Sequence, residues 1–303
     1  EPLHQVPGTQ FFFRSVRLPA ASRLEYSFNI FDDQLEDPLN ARLADSGDHS
    51  SVLTTAGWTE PLHLREPEGA RGRLETFNWT SEILENEREI KIYVPPDYEA
   101  SDERYPVVVV NYGDQALEQG RWAHSLDNLI GESVAPLIAV FLPRVDFNEY
   151  GPRLAQFTDA IARELLPAVD ERYRTLSGAE HRAMTGIASG AFASAFLALE
   201  KPGLIGKVAL QSFYFRDEAE EELRALIEAG GAGAASFYVE WSLNDIEVAR
   251  AGIHCEAHSR ELAELLGNKG FSLVTQEVAD SAGWGSWRTR TDRILELFFP
   301  PKD

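Results

Sequence analysis

Apolar and polar positions follow two different rhythms along the 303-residue chain. Up to about residue 75 the apolar positions come in short aromatic and β-branched bursts, at residues 10–16 and 24–30, broken by Asp37-Pro38 and the polar run 44–51. That texture predicts short strands and turns, with no long helix before residue 115. From about residue 87 near-continuous apolar runs recur at 90–94, 107–111, 137–142, 183–187, 208–211, 237–241 and 273–278. Strands covered on both faces read this way. Between them apolar positions step by three and four. Leu154, Phe157, Ile161 and Leu165 predict one helix, which Pro167 ends or kinks. Ala219, Leu223, Leu226 and Ile227 predict a second. Leu262, Leu265 and Leu266 predict a third, capped by Gly270. A last helix runs through Ile294, Leu295 and Leu297 to Pro300. Alternating strands and helices of this kind predict an α/β fold with a doubly wound, mostly parallel sheet. The expected division is a small β-sandwich-like module over 1–75 and the α/β domain over 76–303. Further module strands upstream of Glu1 are left open.

Composition narrows the function classes. Acidic residues outnumber basic ones by 49 to 28, for a net charge of −21. Such a surface repels phosphate backbones and anionic lipid, so neither nucleic acid nor membrane is an expected partner. No apolar run is long enough for a transmembrane helix, and residues 1–20 lack the pattern of a signal peptide. A soluble protein is expected, with its compartment and oligomeric state open. Cys255 is the only cysteine, which excludes an internal disulfide and thiolate metal clusters. No cofactor is expected.

Sites in such sheets form at the carboxyl ends of the strands. One junction there stands out: Thr185-Gly186-Ile187-Ala188-Ser189-Gly190-Ala191. Gly186 and Gly190 have the spacing of Gly-x-Ser-x-Gly, the turn that thrusts a nucleophile above the sheet. Its central residue here is Ala188, whose methyl group cannot attack a carbonyl. Ser189 is adjacent, but its own flanks would be Ile187 and Ala191, a poor fit for the turn. It reads better as a helix-start serine whose backbone N–H faces the site.

Residues 88–300 resemble the enterochelin (siderophore) esterase and esterase D-like branch of the α/β-hydrolases. The likeness rests on Arg88-Glu89-Ile90-Lys91-Ile92-Tyr93-Val94-Pro95-Pro96-Asp97-Tyr98, on Tyr105 to Asp114 with the oxyanion-loop glycine at Gly113, and on Glu164-Leu165-Leu166-Pro167 with Tyr173. Residues 24–40 resemble the β-module that precedes the hydrolase domain in enterochelin esterases. The resemblance implies serine ester hydrolysis by a Ser, acid, His triad in that chain order. It puts the acid at Asp245, which taken alone reads as a loop or helix-capping carboxylate. It puts the histidine two residues before Trp284, in the segment Ala282-Gly283-Trp284-Gly285-Ser286-Trp287-Arg288, where this chain has Ala282. The last histidine is His258, so none exists in 259–303. The family's Arg-x-x-Glu-Tyr element survives as Glu149-Tyr150, with Asp146 at the arginine position.

The degenerate catalytic set is therefore Ala188, Asp245 and Ala282, with only the acid retained. Three explanations stay open: a pseudoenzyme that binds a ligand or partner, an active ester hydrolase using other residues, and an active enzyme whose residues were replaced. A small-molecule pocket is expected between Tyr112, Gly113, Asp114, Ser189, Trp284 and Trp287. His254 and His258 share a helix face at i, i+4 spacing, but without a third ligand they predict no metal site.

Overall fold

The computed structural model describes residues 3–30, 33–45, 49–145, 148–216 and 219–301. Its centre is a sheet of β1 (Arg73–Ser81), β2 (Asn86–Val94), β3 (Val107–Val110), β4 (Ile138–Phe141), β5 (Arg182–Ile187), β6 (Lys207–Gln211), β7 (Ser236–Asn244) and β8 (Ser272–Ser281). The spatial order is β8-β7-β6-β5-β3-β4-β2-β1. Only β2 runs against the others. All seven apolar runs lie in this sheet.

The continuous apolar character has a direct cause. Val107 and Val109 join a core on one face with Leu154, Phe157, Ile161, Phe192 and Leu262. Val108 and Val110 join a core on the other face with Trp122, Leu126, Ile294 and Leu295. Successive side chains of a strand point to opposite faces, so a strand covered twice must be apolar at every position.

The helices are α1 (Gly113–Glu118), α2 (Trp122–Leu129), α3 (Leu154–Ala160), α4 (Leu166–Arg172), α5 (Ala188–Glu200), α6 (Glu220–Ala229), α7 (Cys255–Asn268), α8 (Trp284–Trp287) and α9 (Thr291–Phe298). Pro167 does not end its helix. It sits in the first turn of α4, and a π turn at Ile161–Leu165 joins α3 to α4. Proline lacks an N–H and crowds the carbonyl one turn back, and widening the preceding turn accommodates both. Gly270 follows α7 with φ +78°, as its capping role requires.

Ahead of the sheet the described residues form three two-stranded antiparallel ribbons: His4–Gln5 with Phe12–Phe13, Arg23–Tyr26 with Ser51–Thr54, and Phe28–Ile30 with Asp33–Leu35. The strand β1 spans the expected boundary at 75/76. The Arg23–Tyr26 strand attaches this region to the sheet. Arg23 N–H donates to the Asp280 carboxylate at 2.8 Å, and Glu25 N–H donates to the Ser281 hydroxyl at 2.9 Å.

No helix among the described residues is long and apolar enough to cross a membrane.

Candidate active site

Strand β5 delivers Ala188 into the first position of α5 with φ +48°. Few residues other than glycine hold this left-handed conformation, and a strained residue at a strand-to-helix turn is the signature of a nucleophile elbow. Of the flanking glycines Gly186 is sterically obligatory and Gly190 is tightly enclosed. A Cβ on Gly186 would lie 2.3 Å from the Gly190 carbonyl carbon, and one on Gly190 would lie 3.0 Å from Asn111 Cβ. The elbow is thus built around a methyl group.

Asn111, at the end of β3, ties the elbow to its neighbour. Its amide donates to Ser194 Oγ at 2.9 Å, and the Tyr150 hydroxyl donates to its carbonyl oxygen at 2.6 Å. Tyr112 follows with φ +56° and is hydrogen-bonded to Ser189 Oγ at 2.6 Å. Burial pushes the Tyr112 phenol above its ordinary value, opposed by the bond to Ser189 and the charges of Arg144 and Arg216. A phenol held in its neutral form is a poor base for Ser189.

The ends of β5, β6 and β7 lie side by side, with Ile187 paired to Gln211 and Gln211 to Glu240. Ser212, one residue past β6, has φ +53° and is buried. Its oxygen accepts the Trp287 indole N–H at 2.8 Å, and its hydroxyl lies near enough to Asp245 to favour the ionised carboxylate. Asp245 accepts the N–H groups of Ser242 at 2.9 Å and Ile246 at 2.8 Å. Burial raises the Asp245 carboxyl above its usual range despite these two donors and the nearby Ser212 hydroxyl. Ala282 N–H donates to the Asn244 carbonyl at 3.2 Å, which sets Ala282 beside the residue preceding Asp245. Ala188 and Ala282 are both half-buried.

The other expected pocket residues divide. Tyr112 and Ser189 meet directly at the elbow. Gly113 is packed on Phe141, and its N–H donates to the Leu142 carbonyl at 2.5 Å, so that donor is not aimed at Ala188. The Asp114 carboxylate is engaged with Lys91 at 2.8 Å. Trp284 and Trp287 are only 7% and 6% exposed. They pack edge to face at 5.7 Å, and Trp284 also covers Gly120. These indoles fill the core beneath the turn instead of walling an open aromatic cleft. Glu149 is buried against Arg88, while Asp146 lies outside the described residues.

His254 and His258 are engaged by separate partners. His254 contacts Glu247 at 2.6 Å, and His258 Nδ1 accepts the Phe215 N–H at 3.2 Å. Burial lowers the His258 pKa, and His254 adds to the shift. Its folded-state pKa lies below the unfolded value, so its contribution to stability is complete above about pH 6.5 and is lost as pH falls through the folded pKa. Urea unfolding from pH 7.5 to 5 is expected to show a decline that is shallower in His258→Gln. Cys255 is buried, which pushes its thiol up and makes a thiolate nucleophile unfavourable. Among the described residues no three His, Cys, Asp or Glu side chains converge as a metal site.

Residues 81–289 match the Esterase family. The chain belongs to that family. A protein of Bacillus subtilis (strain 168), YjcH, is 25% identical over 228 residues, covering 72% of this chain and 93% of its own. The ferric enterobactin esterase of Salmonella typhimurium superposes with a TM-score of 0.76 at 21% identity, covering 98% of this chain and 83% of that one. A ferulic acid esterase gives a TM-score of 0.65 at 16% identity, over 76% of this chain and 99% of the other. These solved structures share the α/β-hydrolase fold with this chain.

What sequence reasoning missed is the polar scaffold around the turn. Ser212 is 33 residues from Asp245 and 75 from Trp287, and nothing local marks it. Asn111 and Tyr150 are likewise joined only by the fold. The positive φ at Ala188 was the one feature with a local signal, the spacing of Gly186 and Gly190.

Proposed function

We propose that this esterase-family chain does not hydrolyse esters and serves as a binding protein on the hydrolase scaffold. The observation that carries the reading is Ala188, left-handed at the strand-to-helix turn where a nucleophile elbow holds its nucleophile. Two further features support it. No histidine follows His258 in the sequence, and the Asp245 carboxylate is engaged by the N–H groups of Ser242 and Ile246. A triad acts as a unit, so loss of either the nucleophile or the base removes most of its rate.

The expected result is hydrolysis of p-nitrophenyl acetate indistinguishable from that of a non-catalytic protein of equal charge, unchanged in Ser189→Ala. The competing reading, an active ester hydrolase, rests on Ser189, whose hydroxyl is hydrogen-bonded to Tyr112 at 2.6 Å. Strong turnover abolished by Ser189→Ala and by Tyr112→Phe would establish that reading and sink the first.

A further inference from the structure

A cavity of about 210 Å³ opens where the first 75 residues meet α2 and the segment after α8. Arg23, Arg42, Arg121 and Arg288 line it together with Asp45 and Glu60. Four guanidiniums at one cavity stand out in a chain of net charge −21.

Their partners are unequal. Arg23 is taken by Glu25 at 2.8 Å, and both side chains are more than nine-tenths buried. Arg288 touches the Asp45 carboxylate and donates to the Gln119 carbonyl at 2.9 Å, but its other terminal nitrogen is 4.0 Å from Glu60. Arg121 reaches Glu60 at 3.2 Å, while its second terminal nitrogen is 3.6 Å from Asp45. Arg42 donates to the Thr54 hydroxyl at 3.0 Å. Separations of 3.6 and 4.0 Å are ion pairs without a hydrogen bond, so these forks hold donors that a better-placed anion would satisfy. Asp45 already shows that the position suits an anion. Burial alone would raise its carboxyl, but Arg288, Arg121 and Arg23 together bring it below its usual range.

We propose that this cavity binds a small organic dianion, which displaces the Asp45 carboxylate from between Arg121 and Arg288 and reaches Arg42. With Asp45 withdrawn, Arg42, Arg121 and Arg288 face Glu60 alone, and two negative charges restore the balance. Planar guanidinium forks match carboxylate and phosphate oxygens in bidentate fashion. The cavity is smaller than drug-sized pockets, which limits the body of the ligand to one ring or a short chain. Trp58 and Val52 supply apolar wall for that body. None of its lining residues belongs to the elbow, and the proposal stands whether or not esters are hydrolysed there.

Titration calorimetry of the full chain with phenyl phosphate and with succinate tests the site, since the probes carry like charge on different frames. Saturable binding of at least one probe is expected, and the probe preferred identifies the frame. Asp45→Asn removes the internal competitor and should tighten binding about ten-fold, whereas Arg42→Gln and Arg121→Gln should each weaken it at least about ten-fold. Arg250→Gln, in an exposed turn outside the cavity, should bind as the parent does. Arg42 is exposed, so its variant leaves the ion pairs between the two regions in place, and circular dichroism checks each variant's fold. Absence of saturation by about 10 mM in both the parent and Asp45→Asn overturns the proposal, as does undiminished affinity in folded Arg42→Gln and Arg121→Gln.

Discussion

Serine at position 188 together with histidine at 282 is expected to create ester hydrolysis where neither replacement alone does. The backbone at 188 already holds φ +48°, so a serine there needs no rearrangement to present its hydroxyl. Gly186 and Gly190 keep the space on either side. The resemblance puts the acid at Asp245, and the bond from Ala282 N–H to Asn244 O sets position 282 against the residue before it. The Ala188→Ser, Ala282→His double variant should therefore exceed the parent in kcat/KM toward p-nitrophenyl acetate by at least about 100-fold, with each single variant staying near the parent, because triad members contribute as a unit. The gain is limited by Ser212, whose hydroxyl lies near Asp245 and competes with a new imidazole for it. Adding Ser212→Ala removes that competitor and should raise the rate a further few-fold, at the expense of the acceptor for the Trp287 indole. A folded double variant as inactive as the parent would falsify the assignment of positions 188 and 282. Activity in Ala188→Ser alone would point to a base other than residue 282.

How much of this was legible in the chain depends on whether the signal was local. The inner strands were readable because both faces are buried, which leaves an unbroken apolar run such as Val107-Val108-Val109-Val110. The edge strand β1 has no such run, because covered Glu75, Phe77, Trp79 and Ser81 alternate with exposed Thr76, Asn78 and Thr80, and the boundary expected at 75/76 falls inside it. The helix at Leu154 was legible from its stripe, whereas its passage through Pro167 depends on a π turn that no periodicity encodes. At the site, two glycines four residues apart revealed the elbow, because the steric need at each is local. The roles of Ser212, Asn111 and Tyr150 were invisible, since each partner lies tens of residues away. Trp284 and Trp287 illustrate a third case. Their positions followed from the resemblance, but their burial follows from the packing of α8 on Gly120 and on the end of β6.

Loss of Arg290 is expected to be the most destabilising single change beneath the site. Its Nε and one terminal nitrogen both donate to Glu240, at 2.9 and 2.8 Å, and its other terminal nitrogen donates to Asp280 at 2.9 Å. Glu240 also accepts from the Tyr238 hydroxyl at 2.6 Å and the Gln211 amide at 3.1 Å. The side chains of Glu240, Asp280 and Arg290 are at most 10% exposed. Replacing the arginine by methionine strands two buried carboxylates, and breaking a buried pair in this way costs about 3–5 kcal/mol. Urea unfolding should register that loss. The triple variant Glu240→Gln, Asp280→Asn, Arg290→Met should lose less than Arg290→Met alone, because the charges are removed together and no isolated carboxylate remains. Asp280 further holds the backbone of Arg23, so proteolysis of Arg290→Met is expected to begin in the first 75 residues before the sheet opens. Equal midpoints for Arg290→Met and the parent would mean that water reaches the network and screens it. In that case the strand ends would be tied together mainly by the apolar cores on the two faces of the sheet, and the contact between Asp280 and Arg23 would be dispensable for holding the N-terminal region in place.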